Sequence, residues 1–242
     1  MSLMAWLRPL IFVELGTFTG VSYCAFCQAI AGHGLKTKAY AVDTWEGDPH
    51  NGRNGPEVLE ELRAFHDPRY GSFSRLLPST FDESLPHFLD GSVDLLHIDG
   101  YHVYEAVKHD FETWLPKMSD RGVIVFHDIN VREKDFGVWK LWEELKEQHP
   151  FFEFFHCHGL GVLQIGKQRP DALNALFKAS AQRAANIRAF YSQLGQRLSV
   201  QWDNERIVGA LKRDQEADRK TFQNQLVDVQ AAKDRQLLPR PA

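Results

Sequence analysis

Apolar positions along the chain follow two alternating patterns, and the alternation sets the expected architecture. Short, largely apolar runs at Leu10–Val13, Lys38–Val42, Phe73–Leu77, Val93–Asp99 and Gly122–Phe126 have the length and make-up of strands buried in a parallel sheet. Between them lie stretches of helical character: Tyr23–Ile30, Glu57–His66, a helix opening at Phe81–Leu85, Glu105–Leu115 and Phe136–Gln148. In the last of these, Val138, Leu141, Trp142 and Leu145 share one face. Gly32-His33-Gly34 closes the first helix and Pro116 stops the fourth. Strands alternating with helices predict an open α/β sheet. Phe151–His156 and Gly161–Ile165, joined at His158-Gly159-Leu160, read as a closing strand pair.

From Asp171 the pattern changes. Glycine and proline nearly vanish, and Ala, Gln, Arg, Lys and Glu dominate. Leu173, Phe177, Ser180, Ala184, Ile187, Tyr191, Leu194 and Leu198 recur at alternating steps of four and three, a heptad seam weakened by Ser180 and Ala184. A second helical run, Asn204–Leu237, carries Val208, Leu211, Phe222, Leu226 and Val229 on a looser seam. The expected division is a globular domain over 1–168 and a helical, coiled-coil-like extension over 169–242. The extension reads as a homo-oligomer contact, as a hairpin folded onto its own domain, or as a connector to a further domain.

Composition removes several classes of function. A chain of 242 residues suits one α/β domain with an appendage. A net charge of -4, with acidic and basic residues interspersed, gives no sign of a nucleic-acid partner. No apolar run approaches the roughly 18 residues of a membrane span, and Met1–Pro9 lacks the features of a signal peptide. Three cysteines are too few for a disulfide framework, so a cytoplasmic location is expected. Cys24 and Cys27 form a C-x-x-C on the apolar side of the first helix and read as core residues. Met1–Leu3 resembles a vector-derived leader, and the short lead into the first strand points to a piece of a longer protein.

The candidate chemistry gathers at strand ends. Leu10–Val13 runs into Glu14-Leu15-Gly16-Thr17-Phe18-Thr19-Gly20-Val21-Ser22, a glycine turn opening a helix. Such a turn lets backbone approach a ligand, and the helix start offers free N–H groups. Gly16 and Gly20 are four apart, which is not the G-x-G-x-x-G dinucleotide spacing. Asp43, 27 residues after Gly16, closes the second strand, where a carboxylate can accept from both ribose hydroxyls; a solvated loop aspartate is the plain alternative. Glu46–Pro56, rich in turn formers, reads as a lid, a substrate contact or an ordinary surface loop. Two neighbouring strands then end in Asp99 and in His127-Asp128, polar groups facing a ligand crevice.

Taken together, E-x-G-x-x-x-G at 14–20, I-D-G-Y-H-V-Y at 98–104 and G-V-I-V-F-H-D at 122–128 resemble the class I S-adenosylmethionine (SAM) methyltransferases. The resemblance is to the macrocin-type sugar O-methyltransferases and covers about Pro9 to Gly166. It implies a Rossmann-like, mostly parallel seven-stranded sheet with an antiparallel last strand and helices on both faces. It implies SAM held by Glu14, Gly16, Thr17, Gly20, Ser22, Asp43, Thr44, Thr80, Phe81 and Asp99. It further implies methyl transfer to a hydroxyl of a sugar or other small molecule, and domains of this kind occur beside glycosyltransferases. Asp99, His127 and Asp128 stand as ligands for magnesium or another divalent cation, and Asp99 and His102 as catalytic groups, with His102 the general base. Two departures stand out: Arg121-Gly122 where Gly-Gly is common, and His127-Asp128 where metal-dependent relatives carry Asp-Asp or Asp-Asn. A nicotinamide oxidoreductase and a catalytically idle oligomerisation module are the alternatives. His156 and His158 read as ordinary loop histidines, and Tyr104 and Asp110 as residues that pack or pair locally.

Overall fold

The computed structural model of the chain describes residues 2–48 and 52–236. In chain order the elements are α1 (Ser2–Leu7), β1 (Ile11–Leu15), α2 (Val21–Gly32), β2 (Lys38–Asp43), β3 (Gly47–Asp48), β4 (Gly52–Arg53), α3 (Glu57–Tyr70) and β5 (Ser74–Pro78). There follow α4 (Phe81–Ser84), β6 (Val93–Ile98), α5 (Tyr104–Trp114), β7 (Met118–His127), α6 (Val138–Lys146), β8 (Phe151–Phe154), β9 (Leu160–Gln164), α7 (Asp171–Phe177) and α8 (Ala181–Gln236). One seven-stranded sheet has the order β5-β2-β1-β6-β7-β9-β8. The first five of these strands pair in parallel; β9 runs antiparallel to β7 and β8.

The apolar runs are continuous because both faces of the central strands are covered. All six residues of β6 are buried. Phe12, Leu95, Val123 and Val125 join the layer of α1, α2 and α7, with Tyr23, Cys27, Ile30, Leu173 and Leu176. Their strand neighbours Val13, Leu96, Ile124 and Phe126 join α5 and α6, where Trp114 and Trp142 are fully buried. Each such large side chain contributes roughly 1.5–3 kcal/mol. Cys24 and Cys27 belong to the first layer, and burial pushes their thiols up to about 11 and about 12. They are core residues, as the sequence predicts.

The strand order reverses direction at β1, which places a crevice at the carboxyl ends of β1 and β6. The register aligns Leu15 with Val42 and Ile98, and Ile98 with Phe126, so the glycine turn, Asp43, Asp99 and His127 share one sheet edge.

Several elements differ from expectation. The residues before the first strand, for which no element is predicted, form α1 (Ser2–Leu7), with Met4 and Leu7 fully buried. The loop Glu46–Pro56 contains the small antiparallel pair β3–β4; residues 49–51 between them lie outside the described residues. The C-terminal region is not two runs meeting near Asn204. Residues 181–236 form one helix of 56 residues, because 199–204 carry no Gly or Pro to interrupt it. The break falls earlier, between α7 and α8, where Ser180 Oγ accepts from Arg183 N at 3.4 Å as helix caps do. Leu173, Ala184 and Ile187 of the expected seam pack into the first core layer. Met1–Arg188 is one compact unit and Ala189–Ala242 a second; in the second, Leu194, Leu198 and Leu211 are exposed. The side chains of Phe222, Leu226 and Val229, and residue Leu237, lie outside the described residues. Among the described residues no helix is long and apolar enough to cross a membrane.

Candidate active site

The glycine turn is shaped by close approach. Gly16 has φ +83°, and a Cβ there would lie 2.2 Å from the Asp99 carbonyl oxygen. Gly20, also left-handed at φ +80°, precedes α2 and faces Leu62. Asp43 ties this turn to β2. Its Oδ2 accepts from the backbone N–H of Thr17 at 2.7 Å and Phe18 at 2.9 Å, and its Oδ1 from Trp45 N at 2.7 Å. A carboxylate oxygen accepts about two bonds, so Oδ1 retains room for a hydroxyl. Trp45, buried, locks the arrangement by donating from Nε1 to the Phe18 carbonyl at 2.8 Å.

Gly16, Phe18, Asp43, Thr44, Thr80, Phe81, Asp99, Gly100 and Tyr101 line one cleft, and Gly47 and Asn54 bring the β3–β4 loop to its wall. Thr80 lies there as the cap of α4, in a reciprocal capping box with Glu83. The closed approach at Gly16 and the acid ending β2 fit a nucleoside-bearing cofactor such as SAM. Thr17 is buried, with an Oγ1 that has no hydrogen-bond partner among the described residues. Glu14 and Ser22 are not among the residues that line the cleft. Glu14 is fully buried opposite His97 in the β1–β6 register, 2.7 Å from its Nδ1, and accepts from Ser22 Oγ at 3.2 Å. Burial raises the Glu14 pKa, and His97 pulls it back.

At the other side of Asp99 four side chains converge. His102 Nε2 lies 3.4 Å from Asp99 Oδ1 and 3.0 Å from Asp128 Oδ2. Asp99, His102 and Asp128 each present one ligand atom within 4.8 Å of the others. Asp128 stands in the left-handed region at φ +60°, a conformation aspartate tolerates better than most residues, and is buried. Its Oδ1 has no hydrogen-bond partner among the described residues. His127 Nδ1 lies 2.8 Å from that oxygen and 3.3 Å from Asp99 Oδ1, but without hydrogen-bond alignment to either; the attraction is one of charge. Burial disfavours the charged form of His127, but the two carboxylates outweigh it and push its pKa up to about 10. Burial also opposes ionisation of Asp99, yet His102 and His127 hold its carboxyl well below the usual range. Two carboxylates and an imidazole around one point, with a buried oxygen left over, fit a divalent cation.

His97 is a site neighbour that the sequence reading left out, and His158, read there as an ordinary loop histidine, also reaches the cluster. The β8–β9 turn, with Gly159 at φ +86° and Asn130 N donating to the His158 carbonyl at 2.9 Å, holds His158 Nδ1 3.3 Å from Asp128 Oδ1. His156 points elsewhere, its ring against Phe154. Tyr104 pairs locally, donating to Glu144 at 2.9 Å.

Asp110 is buried behind Gly100, and burial, reinforced by Asp82 and opposed by His109, pushes its pKa up to about 7. An acid with a raised folded pKa costs nothing below its unfolded value. The cost grows as pH rises from about 4 and is complete above about 7. Asp110→Asn is therefore expected to stabilise the protein by roughly 2–4 kcal/mol at pH 8, and not at pH 4. Denaturant unfolding of both proteins across that range measures it; a pH-independent difference contradicts the assignment.

Residues 13–129 match the family model of a methyltransferase domain. An uncharacterised protein of Sinorhizobium fredii is 51% identical over 170 residues, which is 70% of this chain but 19% of that relative; the chain thus spans about a fifth of its length. Among solved structures, a candidate caffeoyl-CoA O-methyltransferase from Staphylococcus aureus aligns with a TM-score of 0.52 at 16% identity, over 68% of this chain and 80% of that one. A methyltransferase from Geobacter sulfurreducens aligns with a TM-score of 0.50 at 15% identity, over 67% and 74%. The sheet is the Rossmann-like sheet of these methyltransferases, and the methyltransferase-domain match over 13–129 runs from within β1 to just past the end of β7.

Proposed function

We propose that the chain transfers a methyl group from SAM to a hydroxyl of a small molecule or sugar, with a divalent cation at the acceptor side. The observation that carries this reading is the double use of Asp99. Its backbone closes the wall against Gly16, and its carboxylate meets His102 and Asp128. Cofactor turn and acceptor cluster are therefore built on adjoining faces of one residue. The methyltransferase match over 13–129 supports the cofactor; the oxygen acceptor rests on the resemblance described above.

Bound at the glycine turn, SAM supplies a methyl activated by its sulfonium charge. A cation at the cluster supplies a positive centre that lowers the pKa of a hydroxyl beside it. The chain itself supplies position, which accounts for much of the rate in such transfers. Gly16 leaves the backbone open, Asp43 clamps the turn while keeping one acceptor site for a ribose hydroxyl, and the loop bearing Gly47 and Asn54 narrows the cleft. Asp99 and Asp128 would hold the cation, which would supply the positive centre beside the acceptor hydroxyl.

Calorimetric titration with SAM, once with magnesium and once with EDTA, tests the reading. Micromolar binding under both conditions is expected, since the turn and the carboxylate cluster use different atoms of Asp99. No binding under either condition overturns it.

A further inference from the structure

We infer that His102 is a ligand of the cation, so that the cluster takes a first-row transition ion such as manganese, iron or cobalt in preference to magnesium. This deepens the proposed function by naming the cation class, and it rests on the cation part of that reading.

The distances carry the argument. Ligand atoms bonded to one ion at about 2.1 Å and at right angles to each other lie about 3 Å apart. His102 Nε2 is 3.0 Å from Asp128 Oδ2 and 3.4 Å from Asp99 Oδ1, so it shares an edge with each carboxylate as two neighbouring ligands do. The ring is held in that direction: it stacks on Phe136 with centroids 4.8 Å apart and planes 10° apart, and its backbone carbonyl accepts from Gly137 N at 2.8 Å. A Cβ at Gly137 would come within 2.4 Å of Tyr104 N, so this close packing requires glycine. A second observation points independently to a ligand. Asp128 is buried in a left-handed conformation, with an Oδ1 lacking a hydrogen-bond partner among the described residues. His127 Nδ1 at 2.8 Å and His158 Nδ1 at 3.3 Å stand beside that oxygen without forming a hydrogen bond to it, so its lone pairs stay open to an ion.

The donor set then selects the ion. Magnesium is hard, keeps its water and prefers oxygen ligands throughout. Imidazole nitrogen favours the later first-row ions. With Nε2 committed to the ion, His102 is a binding residue, not the general base that the resemblance implies.

Metal-free protein titrated separately with cobalt, manganese and magnesium chloride tests this, alongside the His102→Asp and His102→Asn variants. The wild type is expected to bind cobalt and manganese at least about tenfold tighter than magnesium. His102→Asp should cut the cobalt-to-magnesium affinity ratio by about tenfold or more, since oxygen replaces nitrogen. The visible bands of the cobalt-loaded protein should shift in both variants. Equal affinities for cobalt and magnesium in the wild type, or an unchanged ratio and unchanged bands in folded variants, overturn the inference. SAM binding in EDTA and thermal melting report the fold of each variant; if His102→Asp fails to fold, His102→Asn carries the comparison. Retained SAM binding without ion preference sinks the ion assignment alone. Loss of SAM binding from the wild type sinks the methyltransferase reading instead.

Discussion

Gly16→Ala is expected to reduce SAM affinity by at least about a hundredfold and to lower stability by several kcal/mol. Two separate costs combine. Alanine at φ +83° carries a left-handed penalty of about 1 kcal/mol. The larger cost is steric. The new Cβ would lie 2.2 Å from the Asp99 oxygen, 2.6 Å from its carbonyl carbon and 2.8 Å from Gly100 Cα. All three are backbone atoms, so no rotamer relieves the overlap and the ends of β1 and β6 must part. Parting them weakens the bond from Asp99 N to the Leu15 carbonyl at 2.9 Å and that from Gly16 N to the Val42 carbonyl at 3.0 Å. Both hold the edge on which the cleft is built. Gly34→Ala is the matched control: it has φ +58° and nothing within 4 Å of its Cβ. It should cost about 1 kcal/mol and leave SAM binding intact. Calorimetry and melting of the two variants decide the matter. SAM binding by Gly16→Ala within threefold of wild type would refute the role given to the turn.

Why Gly16, Asp43, Asp99 and Asp128 were legible in advance is a matter of period. In a parallel sheet the polar residue that ends each apolar run arrives at the same edge, so residues far apart in the chain can be grouped without knowing the strand order. The partners of those residues were not legible. Glu14 and His97 face each other through the β1–β6 register, and a single histidine in an apolar run carries no local sign of its partner. His158 reaches Asp128 because β9 returns antiparallel, with Leu160 opposite His127. Only the known pairing reveals that the turn before β9 comes back to the edge that carries Asp128. Asp43 was read for its carboxylate, but its hydrogen bonds to the turn amides depend on the positive φ of Gly16 and of Trp45. In the C-terminal region the heptad spacing ran through Ser180, whose capping hydroxyl was the available sign that one helix ends there and another begins. The spacing was real on both sides, yet the first part belongs to the domain's own core.

Asp99→Asn should separate the two uses of that residue. Asparagine has nearly the same shape, so the backbone wall facing Gly16 and the bond from residue 99 N to the Leu15 carbonyl persist. SAM binding is accordingly expected to stay within several-fold of wild type. The negative charge is what disappears. In the native protein it lies 3.4 Å from His102 Nε2 and 3.3 Å from His127 Nδ1, and it belongs to the three-residue group able to hold an ion. An amide offers one neutral oxygen in its place, and its nitrogen repels both the ion and the imidazole donors. Methyl transfer should fall by about a thousandfold, the scale of losing a group that stabilises or removes a developing charge. Divalent-ion binding should weaken in parallel. The measurement is single-turnover transfer from SAM, with cofactor binding determined separately by calorimetry. Transfer within tenfold of wild type would show that the carboxylate serves only the fold. Loss of SAM binding together with transfer would mean that the charge at residue 99 helps to bind the cofactor itself, and the two faces of Asp99 could no longer be assigned separate functions.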